Sequence, residues 1–309
     1  MAALVFLGSP GAAVVPLEAL VAAGHDVRLV VSRPDARRGR GGTVSPSPVA
    51  AAARRLGLTV TDDLDDVAGA GAELGVVVAY GRIVPAGVLD ALPMVNLHFS
   101  LLPRWRGAAP VERAILAGDE ETGVCVMRLE AGLDTGPVLA RRTVPTGDAH
   151  AGALTEALAR IGAELLVALL AAGPGALGPG EPQAGEATYA AKIDPGELRI
   201  DWSRPVAEVQ RLVRLDRAWT TFRGRRLGVL DAGPGPGGSG GEWPGEGGPG
   251  TVEVVGHGAG ERVTVRCGAG VLELLTVQAE GGRPLGAAQW ARGARPGPGE
   301  RLGADEAPR

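Results

Sequence analysis

The chain has 309 residues, more than one typical domain, and this length predicts two domains. Hydrophobic residues make up 45% and charged residues 21% of the sequence, which is ordinary for a globular protein with a buried core and excludes a disordered chain. The formal net charge of −4 excludes a protein that is basic throughout, so any contact with nucleic acid has to come from local clusters of arginine.

Cysteine usage and the N-terminal residues indicate the cellular setting. Cys125 and Cys267 lie far apart in the sequence and lack the spacing of a metal site, so we expect buried thiols, a reducing cytoplasmic compartment and no metal. The apolar run 2–7 has no basic residue before Arg28 and is interrupted at Gly8, which is unlike a signal peptide. No charge-free apolar segment reaches the length of a membrane span, so we expect no contact with a membrane.

The first half of the chain alternates short apolar runs with helical patterns. The apolar runs, which predict strands, lie at 2–7, 27–32, 75–79, 94–97, 124–127 and 138–140. The helical patterns lie at 14–23, 48–56, 85–92, 109–117 and 153–172. Alternation of this kind is typical of βαβ units and predicts an α/β fold with a doubly wound, mostly parallel sheet. Ligands of such sheets bind beyond the carboxyl ends of the strands.

The pattern changes after about residue 190. An amphipathic helix is predicted at 205–215. Segments of alternating polarity, which predict strands, follow at 218–222, 225–231, 251–256, 262–267 and 271–277. Short strands joined by glycine turns predict a small, OB-like C-terminal β-barrel, interrupted by a flexible glycine-rich excursion at 233–250. We therefore predict a catalytic domain at 1–190, a linker at 191–204 and a binding domain at 205–309.

Asn96, His98 and Asp134 are the residues of this chain best suited to carry chemistry. Asn96 and His98 alternate on an extended segment, so both side chains point to one face of a sheet, and Asp134 lies in a glycine-flanked loop that can approach a strand end. Acyl transfer to an amine needs an imidazole to move a proton, an amide to stabilise an oxyanion and a carboxylate to orient the imidazole. Each residue also has a structural alternative: a packed histidine, a turn-forming aspartate or a loop-capping asparagine.

The sequence around these residues resembles a known family. Residues 96–110 read N-L-H-F-S-L-L-P-R-W-R-G-A-A-P, followed by G-D-E-E-T-G-V at 118–124 and G-L-D-T-G at 132–136. With V-V-V-A-Y-G-R-I-V-P at 76–85 and R-I-D-W at 199–202, this ordered series closely resembles the methionyl-tRNA formyltransferase family. The resemblance covers nearly the whole chain.

The resemblance implies transfer of a formyl group from 10-formyltetrahydrofolate, as cosubstrate, to the α-amine of methionine esterified to initiator tRNA. It implies that Asn96, His98 and Asp134 are catalytic. The residues that it implies for the folate pocket are Tyr80, Gly81, Ile83, Ser100, Leu101, Leu102 and Pro103. We expect the tRNA contacts to include Arg38 and Arg40 of an arginine-rich loop, and Lys192. We also expect a monomer.

Other functions remain open at this point. The chain could be another 10-formyltetrahydrofolate-dependent enzyme, with an amino sugar nucleotide, a ribotide or water as acceptor, or a catalytically silent RNA-binding relative. The arginine loop at 33–42 favours tRNA, and the intact Asn96, His98 and Asp134 argue against a silent relative. Phe99 stands where the family usually has a small residue or proline, which bears on specificity more than on the class of reaction.

Overall fold

The computed structural model describes residues 1–38, 43–236, 246–257 and 260–304. The contacts of the chain divide it into two compact units. The first unit consists of Met1–Ala114, Glu120–Gly147 and Ala153–Lys192, and the second of Ile115–Asp119, Asp148–Gly152 and Ile193–Arg309.

The N-terminal two thirds of the chain contain eleven strands and six helices among the described residues. The strands are β1 (Ala3–Gly8), β2 (Asp26–Val31), β3 (Ala36–Arg38), β4 (Thr43–Ser45), β5 (Val60–Thr61), β6 (Leu74–Val78), β7 (Met94–His98), β8 (Arg106–Gly107), β9 (Glu121–Arg128), β10 (Val138–Pro145) and β11 (Tyr189–Ala190). The helices are α1 (Val14–Ala22), α2 (Pro48–Arg55), α3 (Asp66–Gly69), α4 (Ala86–Ala91), α5 (Pro110–Ala117) and α6 (Ala151–Leu170). Every element predicted for this region is present.

The main sheet of the first unit has seven strands in the order β10-β9-β7-β6-β1-β2-β5. Strands β5, β2, β1, β6 and β7 are parallel, whereas β9 runs antiparallel to β7 and β10 antiparallel to β9. From β1 the chain moves outward to β2 and β5 and then returns to place β6 and β7 on the other side, which is the order of a doubly wound sheet. The prediction of a mostly parallel sheet is confirmed.

Burial explains why the central strands read as unbroken apolar runs. All residues of β1, β6 and β7 are buried, since helices and loops cover both faces of a parallel sheet. Because β6 and β7 are parallel neighbours, the loops that follow them leave the same edge of the sheet. That edge carries the candidate site.

The second unit is an antiparallel sheet with two helices. Its elements are α7 (Val206–Val213), β12 (Trp219–Phe222), β13 (Arg225–Pro234), β14 (Val252–Val255), β15 (Arg262–Arg266), β16 (Val271–Ala279), β17 (Leu285–Gly286) and α8 (Ala287–Ala294). The strand order is β12-β13-β16-β15-β14, with β17 paired to β16. All predicted strands and the helix at 205–215 are present, and α8 is an addition.

The C-terminal segment 300–303 connects the two edge strands of this sheet. The Val252 N–H, at the start of β14, donates to the Glu300 carbonyl at 2.9 Å, and the Leu302 N–H donates to the Gly250 carbonyl at 2.8 Å. On the other side the Gly303 N–H donates to the carbonyl of Thr221 on β12 at 2.8 Å. By bonding to both edges, the segment 300–303 closes the open sheet into a barrel.

Part of the segment 191–204, which we expected to be a linker, packs into the core of the second unit. Ile200 is 4% and Trp202 5% exposed, and the Trp202 indole donates to the Thr220 hydroxyl at 2.9 Å. The glycine-rich excursion also starts later than predicted, because Gly233 and Pro234 still pair with β16, and residues 237–245 lie outside the described residues. The assignment of the two units to catalysis and RNA binding stays a prediction.

Among the described residues, no helix is both long enough and apolar enough to cross a bilayer.

Candidate active site

Strand β7 brings two polar side chains into the interior of the first unit. Asn96 and His98 are separated by one residue, so they share a face of the sheet, and they are only 9% and 6% exposed. Buried amide and imidazole groups need hydrogen-bond partners, since leaving one without a partner costs about 1–3 kcal/mol. Their partners come from two loops at the carboxyl end of β7.

Asp134, in the loop between β9 and β10, meets both side chains of β7. Its Oδ1 accepts a hydrogen bond from the Asn96 amide at 3.4 Å, and its Oδ2 accepts one from the Gly107 backbone N–H at 2.8 Å. The same Oδ2 lies 3.7 Å from Nδ1 of His98, too far for a hydrogen bond but close enough to attract a protonated imidazole. The structure therefore brings together the three residues that the sequence singled out.

The second ring nitrogen of His98 contacts the backbone. Its Nε2 lies 2.8 Å from the carbonyl oxygen of Trp105, which can only accept, so Nε2 carries the proton in the neutral ring. This leaves Nδ1, on the Asp134 side, as the basic atom. We expected Asp134 to orient the imidazole, but the Trp105 carbonyl fixes its tautomer, and Asp134 is positioned to stabilise its charged form.

The turn after β7 holds the Trp105 carbonyl in place. The buried Ser100 hydroxyl donates to the Arg104 carbonyl at 2.6 Å, and the Trp105 N–H donates to the Thr188 hydroxyl at 2.9 Å. Trp105 has a φ of 62°, in the left-handed region that non-glycine residues rarely adopt. Sequence reasoning missed this contribution of Trp105, because a backbone carbonyl has no residue type that a pattern could reveal.

Gly107 is a second functional position that the sequence analysis did not single out. Its φ is 117°, and a side chain there would place Cβ 2.9 Å from the carbonyl oxygen of Ala190. Only glycine lets β8 lie this close to β11 while its N–H points at Asp134. The R-W-R-G sequence at 104–107 is part of the motif that indicated the family, but it did not reveal the role of Gly107.

The residues expected to line a folate pocket after β6 differ in exposure. Tyr80 is 2% exposed and belongs to the core, whereas Ile83 is 88% exposed. Ala79 and Gly81 have φ values of 46° and 74°, so the backbone turns sharply where it leaves β6. The Gly81 carbonyl accepts a hydrogen bond from the Arg33 guanidinium at 3.3 Å.

The residues expected to hold folate after β7 are mostly packed inward. Ser100 is fully buried, and Leu102 packs with Cys125, Met127 and Val138. Leu101 and Pro103 are half-buried, and the Leu102–Pro103 peptide bond is cis. The Ser100 and Leu102 side chains are therefore turned away from solvent, whereas those of Leu101 and Pro103 are partly accessible.

Of the residues expected to contact tRNA, the structure describes Lys192 and the backbone of Arg38. Lys192 is exposed, and its carbonyl accepts a hydrogen bond from the Arg113 guanidinium at 3.4 Å. Arg38 ends β3, which pairs with β4 as a hairpin. The Arg38 side chain and the whole of Arg40 lie outside the described residues.

Neither cysteine provides a nucleophile. Both thiols are buried. Burial raises the pKa of the Cys125 thiol above its usual range. It also raises the pKa of the Cys267 thiol, to about 12. Only the thiolate is strongly nucleophilic, so both groups are inert near neutral pH. Within the part of the chain that the structure describes, no group of His, Cys, Asp and Glu side chains is arranged to hold a metal ion.

Comparison with known proteins matches two family models. Residues 2–170 match the model described as formyl transferase, and residues 192–295 match the model of the formyl transferase C-terminal domain. The methionyl-tRNA formyltransferase of Dinoroseobacter shibae is 45% identical to this chain, over 94% of this chain and 97% of that protein. The methionyl-tRNA formyltransferase of Heliobacterium modesticaldum is 42% identical, over 97% of this chain and 99% of that protein.

Solved structures share the fold at much lower identity. HypX from Aquifex aeolicus in complex with tetrahydrofolic acid is 18% identical with a TM-score of 0.65, over 97% of this chain and 48% of that one. The N-formyltransferase of Helicobacter canadensis, in complex with folinic acid and dTDP-3-aminofucose, is 16% identical with a TM-score of 0.66, over 90% of this chain and 100% of that one. The methionyl-tRNA formyltransferase of Clostridium thermocellum is 15% identical with a TM-score of 0.59, over 77% of this chain and 95% of that one.

Proposed function

This chain belongs to the methionyl-tRNA formyltransferase family, and from that premise we propose that it transfers the formyl group of 10-formyltetrahydrofolate to the α-amine of methionine on initiator tRNA. The observation that supports this function best is the convergence of Asn96, His98 and Asp134 at the carboxyl end of β7. An amide, an imidazole and a carboxylate meet there, at the edge where sheets of this type bind their ligands.

His98 is the proton carrier in this proposal. The attacking α-amine forms a bond to the formyl carbon, the bond from that carbon to N10 of the folate breaks, and one proton passes from the amine to N10. Nδ1 of His98 can accept this proton, because Nε2–H is already donated to the Trp105 carbonyl. Asp134, with Oδ2 at 3.7 Å, stabilises the imidazolium that forms. General acid–base catalysis of this kind contributes roughly 10²–10⁴-fold to the rate.

Asn96 stabilises the oxyanion of the tetrahedral intermediate. One N–H of its amide is directed to Oδ1 of Asp134 at 3.4 Å, which fixes the amide nitrogen on that side. The other N–H of the same nitrogen is the donor for the oxyanion. A preorganised donor at such a position contributes about 3 kcal/mol to transition-state stabilisation.

Folate binds, in this proposal, between the loop after β6 and the loop after β7. Ile83 supplies an exposed apolar side chain, and the turn at Ala79–Gly81 presents backbone donors and acceptors. Such groups suit the polar edge and flat apolar faces of a pterin. Ser100–Pro103 form the facing wall, with Ser100 and Leu102 fixed from within.

The proposed RNA contacts are Arg38, Arg40 and Lys192. Arg37 is exposed on the same β3–β4 hairpin as Arg38, and Lys192 is exposed at the end of the first unit. Guanidinium groups bind phosphates bidentately and stack on unpaired bases, and the acceptor end of a tRNA offers both.

Formyl transfer to initiator and elongator methionyl-tRNA tests the proposed function. With 10-formyltetrahydrofolate as donor, we expect formyl-methionyl-tRNA from the charged initiator at a much higher kcat/KM than from the elongator. The His98→Ala protein, purified in the same way, controls for contaminating enzyme. Transfer to an amino sugar nucleotide or a ribotide in place of tRNA, release of formate to water, or no turnover at all would each reject the proposal.

A further inference from the structure

The side chain of Gln183 joins separate backbone segments of the first unit. Its Nε2 donates hydrogen bonds to the carbonyl oxygens of Asp134 and Gly136, both at 2.8 Å. Its Oε1 accepts two hydrogen bonds from the Arg106 guanidinium, one from Nε at 3.1 Å and one from Nη2 at 2.7 Å. All four hydrogen-bonding positions of the amide, two N–H groups and two oxygen lone pairs, are thus directed at backbone and side-chain groups of the candidate site.

The orientation of the Gln183 amide follows from the chemistry of its partners. A guanidinium group can only donate hydrogen bonds, and a backbone carbonyl can only accept them. The amide oxygen must therefore face Arg106, and the amide nitrogen must face Asp134 and Gly136. A flipped amide would set its N–H donors against the N–H donors of Arg106, and its oxygen against the carbonyl oxygens of Asp134 and Gly136.

Among the described residues, the loop that carries Asp134 is held by polar contacts, which include those of Asn96 and Gly107 with its carboxylate. Leu133 is 59% exposed, so the loop lacks an apolar anchor at that residue, and Asp134 itself has a φ of 51°. Loops with few buried apolar contacts depend on polar contacts for their order. Gln183 supplies two of these contacts, on either side of Thr135.

Gln183 also restrains the donor that the Asp134 carboxylate needs. Arg106 directly precedes Gly107, whose N–H donates to Oδ2 of Asp134 at 2.8 Å. One side-chain amide therefore fixes the backbone that carries the carboxylate and the strand that binds it.

We infer that Gln183 is a positioning residue for catalysis, whose amide N–H groups hold the Asp134 carboxylate in register with His98 and Asn96. The inference rests on the proposed function, since it assigns Gln183 to the placement of a proposed catalytic group. Gln183 touches no reacting atom in this scheme. A misplacement of about 1 Å in a catalytic group can cost about 10²-fold in rate. Loss of the Gln183 hydrogen bonds should therefore lower kcat.

Two substitutions separate the contact with Asp134 from the contact with Arg106. Gln183→Glu keeps an acceptor for Arg106 but replaces the N–H donors with oxygen, whereas Gln183→Met removes both contacts at similar length. We expect both variants to lower kcat about 10–100-fold and to leave tetrahydrofolate affinity within about twofold of wild type. Unchanged folate affinity shows that the variants are folded. A Gln183→Glu enzyme with wild-type kcat beside an impaired Gln183→Met enzyme would overturn the inference, because the contact with Arg106 would then suffice.

A double-mutant cycle with Asp134→Asn distinguishes positioning from a general effect on structure. If Gln183 acts through the carboxylate, Gln183→Met lowers the single-turnover rate by less than about threefold when that carboxylate is already absent. A loss of the same factor in both backgrounds would contradict the inference. Gln278→Met is the matched control, because its amide also donates to a backbone carbonyl, that of Gly282 at 2.8 Å in the second unit, and kcat should not change.

The outcomes also separate this inference from the proposed function. If the function is right and the inference wrong, Asp134→Asn is slow and Gln183→Met turns over like wild type. If the proposed function is wrong, the wild-type enzyme itself forms no formyl-methionyl-tRNA.

Discussion

His98 can act as a base because its two ring nitrogens have different surroundings. Nε2 is hydrogen-bonded to the backbone carbonyl of Trp105, a group that does not titrate. Nδ1 faces the Asp134 carboxylate. Proton uptake at Nδ1 then creates a cation beside an anion in a buried setting, where attraction is stronger than in water. In the proposed mechanism, the Asp134 carboxylate attracts the imidazolium of the intermediate more strongly than the neutral ring, and such a difference is what lowers a barrier.

Replacement of His98 by alanine tests this role. We expect kcat for formyl transfer to fall about 10²–10⁴-fold, because the proton carrier is lost, with tetrahydrofolate affinity within about twofold of wild type. Single-turnover rates and equilibrium folate binding provide the two measurements. A folded His98→Ala enzyme with kcat within about threefold of wild type would show that His98 has a structural role instead.

The sequence predicted which side chains meet but not what holds them. Asn96 and His98 follow from strand alternation, and Asp134 from a glycine-flanked loop after the next long strand. Trp105 contributes a carbonyl that any residue would have, and Gln183 acts from a segment with no periodic pattern, 49 residues beyond Asp134 in sequence. Only the folded chain brings these groups beside Asn96, His98 and Asp134.

At the level of elements, the short strand pair β8–β11 fixes the position of a backbone donor in the candidate site. These two strands have two residues each, yet Gly107 on β8 supplies the N–H that binds Asp134. Elements this short have no hydrophobic periodicity, which is why the sequence analysis did not find them, whereas the long buried strands and helices were predicted where they occur.

Gly107→Ala should disrupt this strand pair. The new Cβ would lie 2.9 Å from the Ala190 carbonyl oxygen, at a φ of 117° that alanine rarely adopts. We expect a loss of about 1–3 kcal/mol in the free energy of unfolding and at least a tenfold lower kcat. Gly87→Ala in α4 is the control, since nothing lies within 4 Å of its new Cβ and alanine favours helix. Equal kcat for Gly107→Ala and wild type would contradict a role for the Gly107 N–H.

The arginine-rich segment 33–42 is the proposed RNA contact at this scale. We expect Arg40→Ala to lower kcat/KM for charged initiator tRNA several-fold at low salt, with unchanged folate affinity and thermal midpoint, because a contact with RNA does not contribute to folding. The effect should shrink at high salt if phosphate is bound and persist if a base is stacked. Equal kcat/KM for wild type and Arg40→Ala at low salt would contradict a contact between Arg40 and RNA.

On the scale of the whole molecule, each compact unit has its own hydrophobic core. The core of the second unit includes side chains from α7, from α8, from the strands of the barrel and from the segment before α7. The length of the chain predicted two domains, and alternating patterns predicted most of the barrel. The place where the second unit begins was harder to predict, because R-I-D-W at 199–202 is too short to show that Ile200 and Trp202 are core residues rather than part of a linker.

The buried thiol of Cys267 makes the stability of the second unit depend on pH in the alkaline range. Burial raises its pKa from 9.0 to about 12, so the folded state keeps the proton over a range in which the unfolded chain releases it. Below pH 9 both states are protonated and stability is unaffected by this group. As pH rises from about 9 towards 12, only the unfolded state gains by ionisation, so stability falls by about 1.4 kcal/mol per pH unit.

Denaturant unfolding of wild type and Cys267→Ala at two pH values measures this effect. The alanine variant has no thiol to ionise, so its free energy of unfolding lacks this contribution while sharing all other pH-dependent groups. We expect the advantage of wild type over Cys267→Ala to shrink by about 1.4 kcal/mol between pH 8 and pH 10. A difference that stays constant over this range would mean that the thiol ionises as readily in the folded protein as in the unfolded chain, contrary to its burial in the core at 1% exposure.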